Sequence, residues 1–136
     1  MGTLDGNVAL VTGAGGGLGR SHALALAREG AAVVVNDLGG TRDGTGAGSA
    51  MADQVVAEIV GLGGRAVADY GSVSDPQGAA GMVTRAVEAF GRLDILVANA
   101  GILRDKTFAK MNDAMWDAVI AVHLQGTYYT VREAYR

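Results

Sequence analysis

The sequence has no cysteine, a single proline, few aromatic residues (one Trp, four Tyr, two Phe) and no cluster of Lys and Arg. Without cysteine there is neither a disulfide frame nor thiolate chemistry, which fits a reducing compartment. A net charge of −3 with no basic cluster excludes a nucleic-acid-binding surface. No apolar run approaches the roughly 20 residues that would cross a membrane. The start of the chain lacks a basic segment followed by an apolar signal core, and Gly6 stands where N-myristoylation needs Ser or Thr, so neither leader nor lipid anchor is expected. No metal site is expected.

What is abundant is glycine, 22 of 136 residues, grouped beside the ends of apolar runs rather than in repeats. That distribution reads as ligand-facing turns and not as low complexity. With 49% hydrophobic and 18% charged residues the chain has enough apolar surface for the core of one soluble domain, or of part of one.

The densest glycine segment follows Val8-Ala-Leu-Val11 and precedes Ser21 to Glu29, which has helical spacing. Strand, tight turn and helix are therefore predicted, with unpaired N–H groups at the helix start suited to phosphate. A phosphate-binding loop of the Gly-x-x-x-x-Gly-Lys type is excluded, since the segment has no lysine. Gly-x-Gly-x-x-Gly fails in register, because Gly13 and Gly15 would require glycine where Leu18 stands. What fits is Thr12-Gly13-x-x-x-Gly17-x-Gly19. A second apolar run, Ala31 to Val35, leads to Asp37, 37 − 19 = 18 residues past the last motif glycine. An acid that binds adenosine ribose is expected about twenty residues on, at the end of the second strand. Together these point to dinucleotide binding.

Four β-α units are predicted along the chain. Strands are expected near 7–12, 31–35, 65–70 and 94–98. Ala31 to Val35 is continuously apolar, as in a parallel strand covered on both faces. The first helix should bury Ala23, Leu26 and Ala27, and Gly30 should end it. Residues 38–48 form a long Gly-rich connection, expected to be a mobile insertion beside the cofactor. Ser49 is a candidate cap for a helix burying Ala52, Val55, Val56 and Ile59. Asp75-Pro76 should open a third helix burying Ala79, Met82, Val83, Ala86 and Phe90. Asn112 should cap a last helix running unbroken from Asp113 to Arg136, so that the chain ends inside an element. Right-handed crossovers then give a doubly wound α/β fold, a parallel sheet of order 3-2-1-4 with helices on both faces and ligand at the reversal.

These motifs resemble the short-chain dehydrogenase/reductase family. Thr12-Gly13-x-x-x-Gly17-x-Gly19, Asp37 and Asn99-Ala100-Gly101 hold the order and spacing of its motifs, with Ala98 replacing a usual Asn. Val35-Asn-Asp-Leu-Gly-Gly40 and Asn99-Ala-Gly-Ile-Leu-Arg-Asp105 are similar to the (3R)-hydroxyacyl-CoA dehydrogenase modules of peroxisomal multifunctional enzymes and their bacterial relatives. The resemblance covers essentially the whole chain and marks residues 1–136 as the NAD-binding N-terminal part of one such domain. It implies a Rossmann-type fold and hydride transfer between a nicotinamide and a secondary alcohol or ketone, with 3-hydroxyacyl-CoA as the substrate. It also implies a cytoplasmic protein, or a peroxisomal one in a eukaryote, whose full-length form is a homo-oligomer.

By that resemblance, Gly13, Gly17, Leu18 and Gly19 lie along the pyrophosphate and Asp37 binds the adenosine ribose. Ser72 and Val73 flank adenine, while Asn99, Ala100 and Gly101 approach the nicotinamide ribose. A carboxylate accepts from ribose hydroxyls and repels a 2′-phosphate, which favours NAD over NADP; Arg42, in the insertion, is the residue able to turn toward such a phosphate. The family's catalytic serine and Tyr-x-x-x-Lys are absent. Tyr70, Tyr128 and Tyr129 have Ser, Arg and Glu four residues on, and Tyr135 has one residue after it. His123 aligns with the family's catalytic asparagine, where a helix kink frees a carbonyl for a proton relay; the alternative is a packed helical histidine, and His22 reads as an ordinary helix residue. Two other readings stay open: a non-catalytic dinucleotide-binding half-domain, and a methyltransferase, which leaves Asn99-Ala100-Gly101 unexplained.

Overall fold

The computed structural model describes residues 2–40 and 48–136. Arg42 and most of the Gly-rich insertion therefore lie outside the described residues. Four short strands, β1 (Val8–Val11), β2 (Ala32–Asn36), β3 (Ala66–Asp69) and β4 (Ile95–Val97), form one parallel sheet of order β3-β2-β1-β4, as expected. The register pairs Leu10 with Val34 and with Leu96, and Val34 with Val67.

The unbroken apolar runs follow from burial on both faces. Val11, Val33 and Val35 point to one side, where they pack against Ala23 and Leu24 of α1 (Gly17–Arg28) and Ala52, Val55 and Ile59 of α2 (Ala50–Gly61). Val8, Leu10, Ala32 and Val34 point to the other, against Met82 and Ala86 of α3 (Pro76–Phe90). Alternate side chains of a strand face opposite ways, so a two-sided core requires apolar residues at every position. The predicted helix faces of α2 and α3 are the ones buried or partly buried.

The ends of the helices agree with the sequence in part. Asp75 caps α3 through the N–H groups of Gln77 and Gly78, and Asn112 caps α4 (Asp113–Ile120) through Met115 N–H. Gly30, with φ of 100°, follows α1. Ser49 does not cap α2: its backbone is already helical and its side chain makes no capping bond. α1 begins at Gly17, four residues before the periodic stretch, because glycines carry no side-chain pattern to signal a helix. The last helix is not continuous. α4 gives way to one wide, π-helical turn, Ala121–Gln125, before α5 (Gly126–Tyr135). Apolar periodicity survives such a turn, so the sequence pattern alone does not reveal it. No helix among the described residues is long and apolar enough to cross a membrane.

Candidate functional site

A cleft of about 730 Å³ opens at the C-terminal ends of the strands, where the order reverses between β1 and β4. Its wall includes Gly13, Gly17, Leu18 and Gly19 of the glycine turn, Asp37 after β2, Ser72 and Val73 after β3, and Asn99, Ala100 and Gly101 after β4. Residues that stand far apart in sequence thus share one wall, because each strand delivers its following loop to the same sheet edge.

The motif glycines do different things. Gly13 has φ of 63°, and a Cβ there would lie 2.8 Å from Ala100 Cα. At Gly19 a Cβ would come within 2.2 Å of the Gly13 carbonyl oxygen and 2.5 Å of Asn99 Nδ2. These two are small so that turn, helix and β4 loop can touch. Gly17 differs: its φ is 55° and a Cβ would meet no atom within 4 Å, only open space at the cleft. α1 starts here with no side-chain cap and no acid in its first turn. Its positive end therefore faces the cleft unneutralised, as an anion-binding helix start must. Leu18, 75% exposed, lies over the same opening.

Thr12 is buried and joins the turn to the β4 loop. Its Oγ1 accepts from the N–H groups of Asn99 and Ala100, both at 3.0 Å. Asn99 in turn donates its amide to the Thr12 and Gly13 carbonyls, at 3.1 and 3.2 Å. Asn99 therefore holds the end of β1 in shape as well as lining the cleft. Asp37 is oriented from both sides: Oδ2 accepts from Gly15 N–H at 2.8 Å and Oδ1 from Gly39 N–H at 2.7 Å. Each oxygen keeps acceptor capacity for a further donor.

Asn36 lines the cleft and was not singled out by the sequence. Buried at the end of β2, it donates to Asp69 Oδ1 and to the Gly71 carbonyl, fixing the turn that presents Ser72. The available signal was an amide ending an apolar run. Ile102 and Arg104, in the segment that follows Asn99-Ala100-Gly101, and Met51, Ala118, Ala121 and Val122, which no motif marks, complete parts of the wall.

His123 is not among the residues lining the cleft. It sits in the π-helical turn, with Nε2 3.0 Å from the Ile102 carbonyl oxygen and 3.1 Å from the Ile102 backbone nitrogen, so which of the two it serves depends on whether Nε2 carries a proton. The ring fits because Gly101 lacks a Cβ, which would stand 2.6 Å from His123 Cε1. The His123 carbonyl accepts from Thr127 Oγ1 at 2.7 Å. Outside the cleft wall, Tyr70 donates to Asp53 of α2, which raises the phenol above its ordinary pKa. Tyr70 is thus engaged with α2 and does not line the cleft. Arg20 forks onto Glu58, tying α1 to α2 and lowering the Glu58 carboxyl.

The short chain dehydrogenase family profile matches residues 7–136. A Mycobacterium tuberculosis protein named as a short-chain type dehydrogenase/reductase is 63% identical over 94% of this chain and 45% of its own length. The mouse peroxisomal multifunctional enzyme type 2 is 53% identical over 96% of this chain and 17% of its own. Hydroxyacyl-CoA dehydrogenase ChsB1 of M. tuberculosis is 47% identical over 96% and 40%. A crystal structure of a short chain dehydrogenase from Mycobacterium avium superposes with a TM-score of 0.89 at 53% identity, over 98% of this chain and 48% of that one. The chain thus spans less than half the length of these relatives. With profile, relatives and fold in agreement, this chain belongs to the short-chain dehydrogenase family of oxidoreductases.

Proposed function

We propose that residues 1–136 form the NAD-binding N-terminal part of a single dehydrogenase domain whose whole protein transfers hydride between the nicotinamide and a secondary alcohol or ketone, at C3 of a 3-hydroxyacyl-CoA. The observation that carries the reading is Asp37, a carboxylate fixed at the end of β2 on the wall that also holds the uncapped start of α1. The helix start suits a pyrophosphate, and the carboxylate suits vicinal ribose hydroxyls while repelling a 2′-phosphate. NAD is therefore the cofactor and NADP is disfavoured. When bound, the nicotinamide supplies hydride transfer; this chain binds and orients it. Gly13, Gly17, Leu18 and Gly19 face the pyrophosphate, Ser72 and Val73 the adenine, and Asn99, Ala100 and Gly101 the nicotinamide ribose.

The acyl-CoA assignment is supported by the relative named as a hydroxyacyl-CoA dehydrogenase and by the similarity to the multifunctional enzyme. Proton transfer from the substrate hydroxyl needs a tyrosine activated by a lysine, and no Tyr-x-x-x-Lys occurs in these residues. His123 contributes by holding Ile102 and not as acid or base. The chain alone is inactive; the full-length parent is active and homo-oligomeric. The test is NADH formation by the protein made from the full reading frame, offered (3R)- and (3S)-3-hydroxyacyl-CoA. Turnover confined to the 3R substrate is expected; NAD binding without oxidation of any hydroxyacyl-CoA overturns the substrate assignment.

A further inference from the structure

Gly15 belongs to the glycine segment but not to the motif, and its backbone is not in the left-handed region that would itself demand glycine. Space is what excludes a side chain. A Cβ at Gly15 would stand 2.7 Å from Asp37 Oδ2, 2.8 Å from Asp37 Cγ and 2.7 Å from Met51 Cβ. On the same residue, the N–H donates to Asp37 Oδ2 at 2.8 Å. Ala52 and Val55, on the same helix as Met51, are buried in the sheet core, which resists a shift of that helix.

Resting on the NAD reading above, we propose that Gly15 is a positioning residue for cofactor choice: its N–H and its missing side chain set where the Asp37 carboxylate stands. Of the two side chains a Cβ at this position would meet, Asp37 and Met51, only the carboxylate carries charge, and it is through Asp37 that this position acts on the choice between dinucleotides. Gly39 N–H grips the other oxygen, so the two bonds fix both the place and the rotation of the carboxylate plane. An alanine at position 15 pushes one side of that plane away and leaves Gly39 to hold the other. The ribose hydroxyls then meet a displaced acceptor, and the repulsion of a 2′-phosphate weakens with it.

The test is calorimetric titration of the protein made from the full reading frame, as wild type, Gly15→Ala, Asp37→Ala and the double variant, with NAD and with NADP. Gly15→Ala is expected to lower the NAD:NADP affinity ratio by roughly tenfold, and to change that ratio no further once Asp37 is alanine. A merely structural role would lower both affinities together and would persist in the Asp37→Ala background; either result overturns the inference. Should Gly15→Ala fail to fold, amide exchange decides instead: Gly15 N–H must exchange faster in Asp37→Ala than in the wild type, and equal rates overturn the inference. A wild-type chain that binds NAD no tighter than NADP overturns the cofactor reading itself and this inference with it.

Discussion

Asp37 and Gly17 carry the cofactor reading one residue at a time, and each makes a separate prediction. Replacing Asp37 by alanine removes acceptors of charge-assisted hydrogen bonds, so NAD binding should weaken by about 1.5–3 kcal/mol, with a narrowed preference against NADP; paired titrations with both dinucleotides check it. Gly17→Val puts a β-branched side chain at a φ of 55° and into the open cleft. It should abolish NAD binding and cost about 1–3 kcal/mol of stability, with a circular dichroism spectrum close to the parent. Unchanged NAD affinity would contradict it. Thr12→Val keeps the shape but leaves the Ala100 N–H without its acceptor and the Asn99 N–H with the Val97 carbonyl alone, so chemical denaturation should show a loss of about 1–3 kcal/mol. That Gly17 and Asp37 share one cleft wall was legible in the sequence, because the turn and the acid have a defined spacing. The separate tasks of Gly13 and Gly19 were not, since the atoms they make room for, Ala100 and Asn99, come from a loop eighty or more residues away.

At the scale of elements, strand and helix identity followed from apolar runs and periodicity, whereas boundaries and the π-helical turn depended on hydrogen bonding that periodicity does not encode. The Asp75 and Asn112 caps were readable because an acid or amide directly preceded each helix, and Ser49 failed because its own backbone had already joined the turn. The β1–β4 pair is tied at its start by Asp94, whose carboxylate accepts from Val8 N–H at 2.8 Å and also pairs with Arg92. The Arg92 hydrogen bond, then the Val8 N–H, hold the Asp94 carboxyl below its ordinary pKa. A depressed folded-state pKa means the contribution to stability is complete above the ordinary carboxylate value and disappears as pH falls through the lower, folded value. Thermal melts over an acid series should therefore show Asp94→Asn less sensitive to pH in that window than the wild type; identical slopes would contradict the assignment.

For the whole molecule, the sheet order leaves β4 at an edge beside β1, and Trp116, Leu124 and Tyr128 on the last helical stretch are each more than half exposed. An open strand edge and an uncovered apolar helix face both favour association. A polypeptide of these 136 residues should self-associate, seen as concentration-dependent mass in light scattering, and should form no NADH from NAD and any 3-hydroxyacyl-CoA. A monomer at high concentration, or steady turnover, would contradict this. The doubly wound sheet was legible because two-sided burial writes itself into continuous apolar strands; what covers the exposed face was not, because an apolar stripe names no partner.

The central claim is that the cleft at the strand reversal selects NAD through the Asp37 carboxylate. Calorimetric titration of the protein made from the full reading frame with NAD and with NADP under one set of conditions tests it most directly. The account predicts saturable one-site binding of NAD with NADP clearly weaker; equal affinities, tighter NADP, or no binding of either would contradict it.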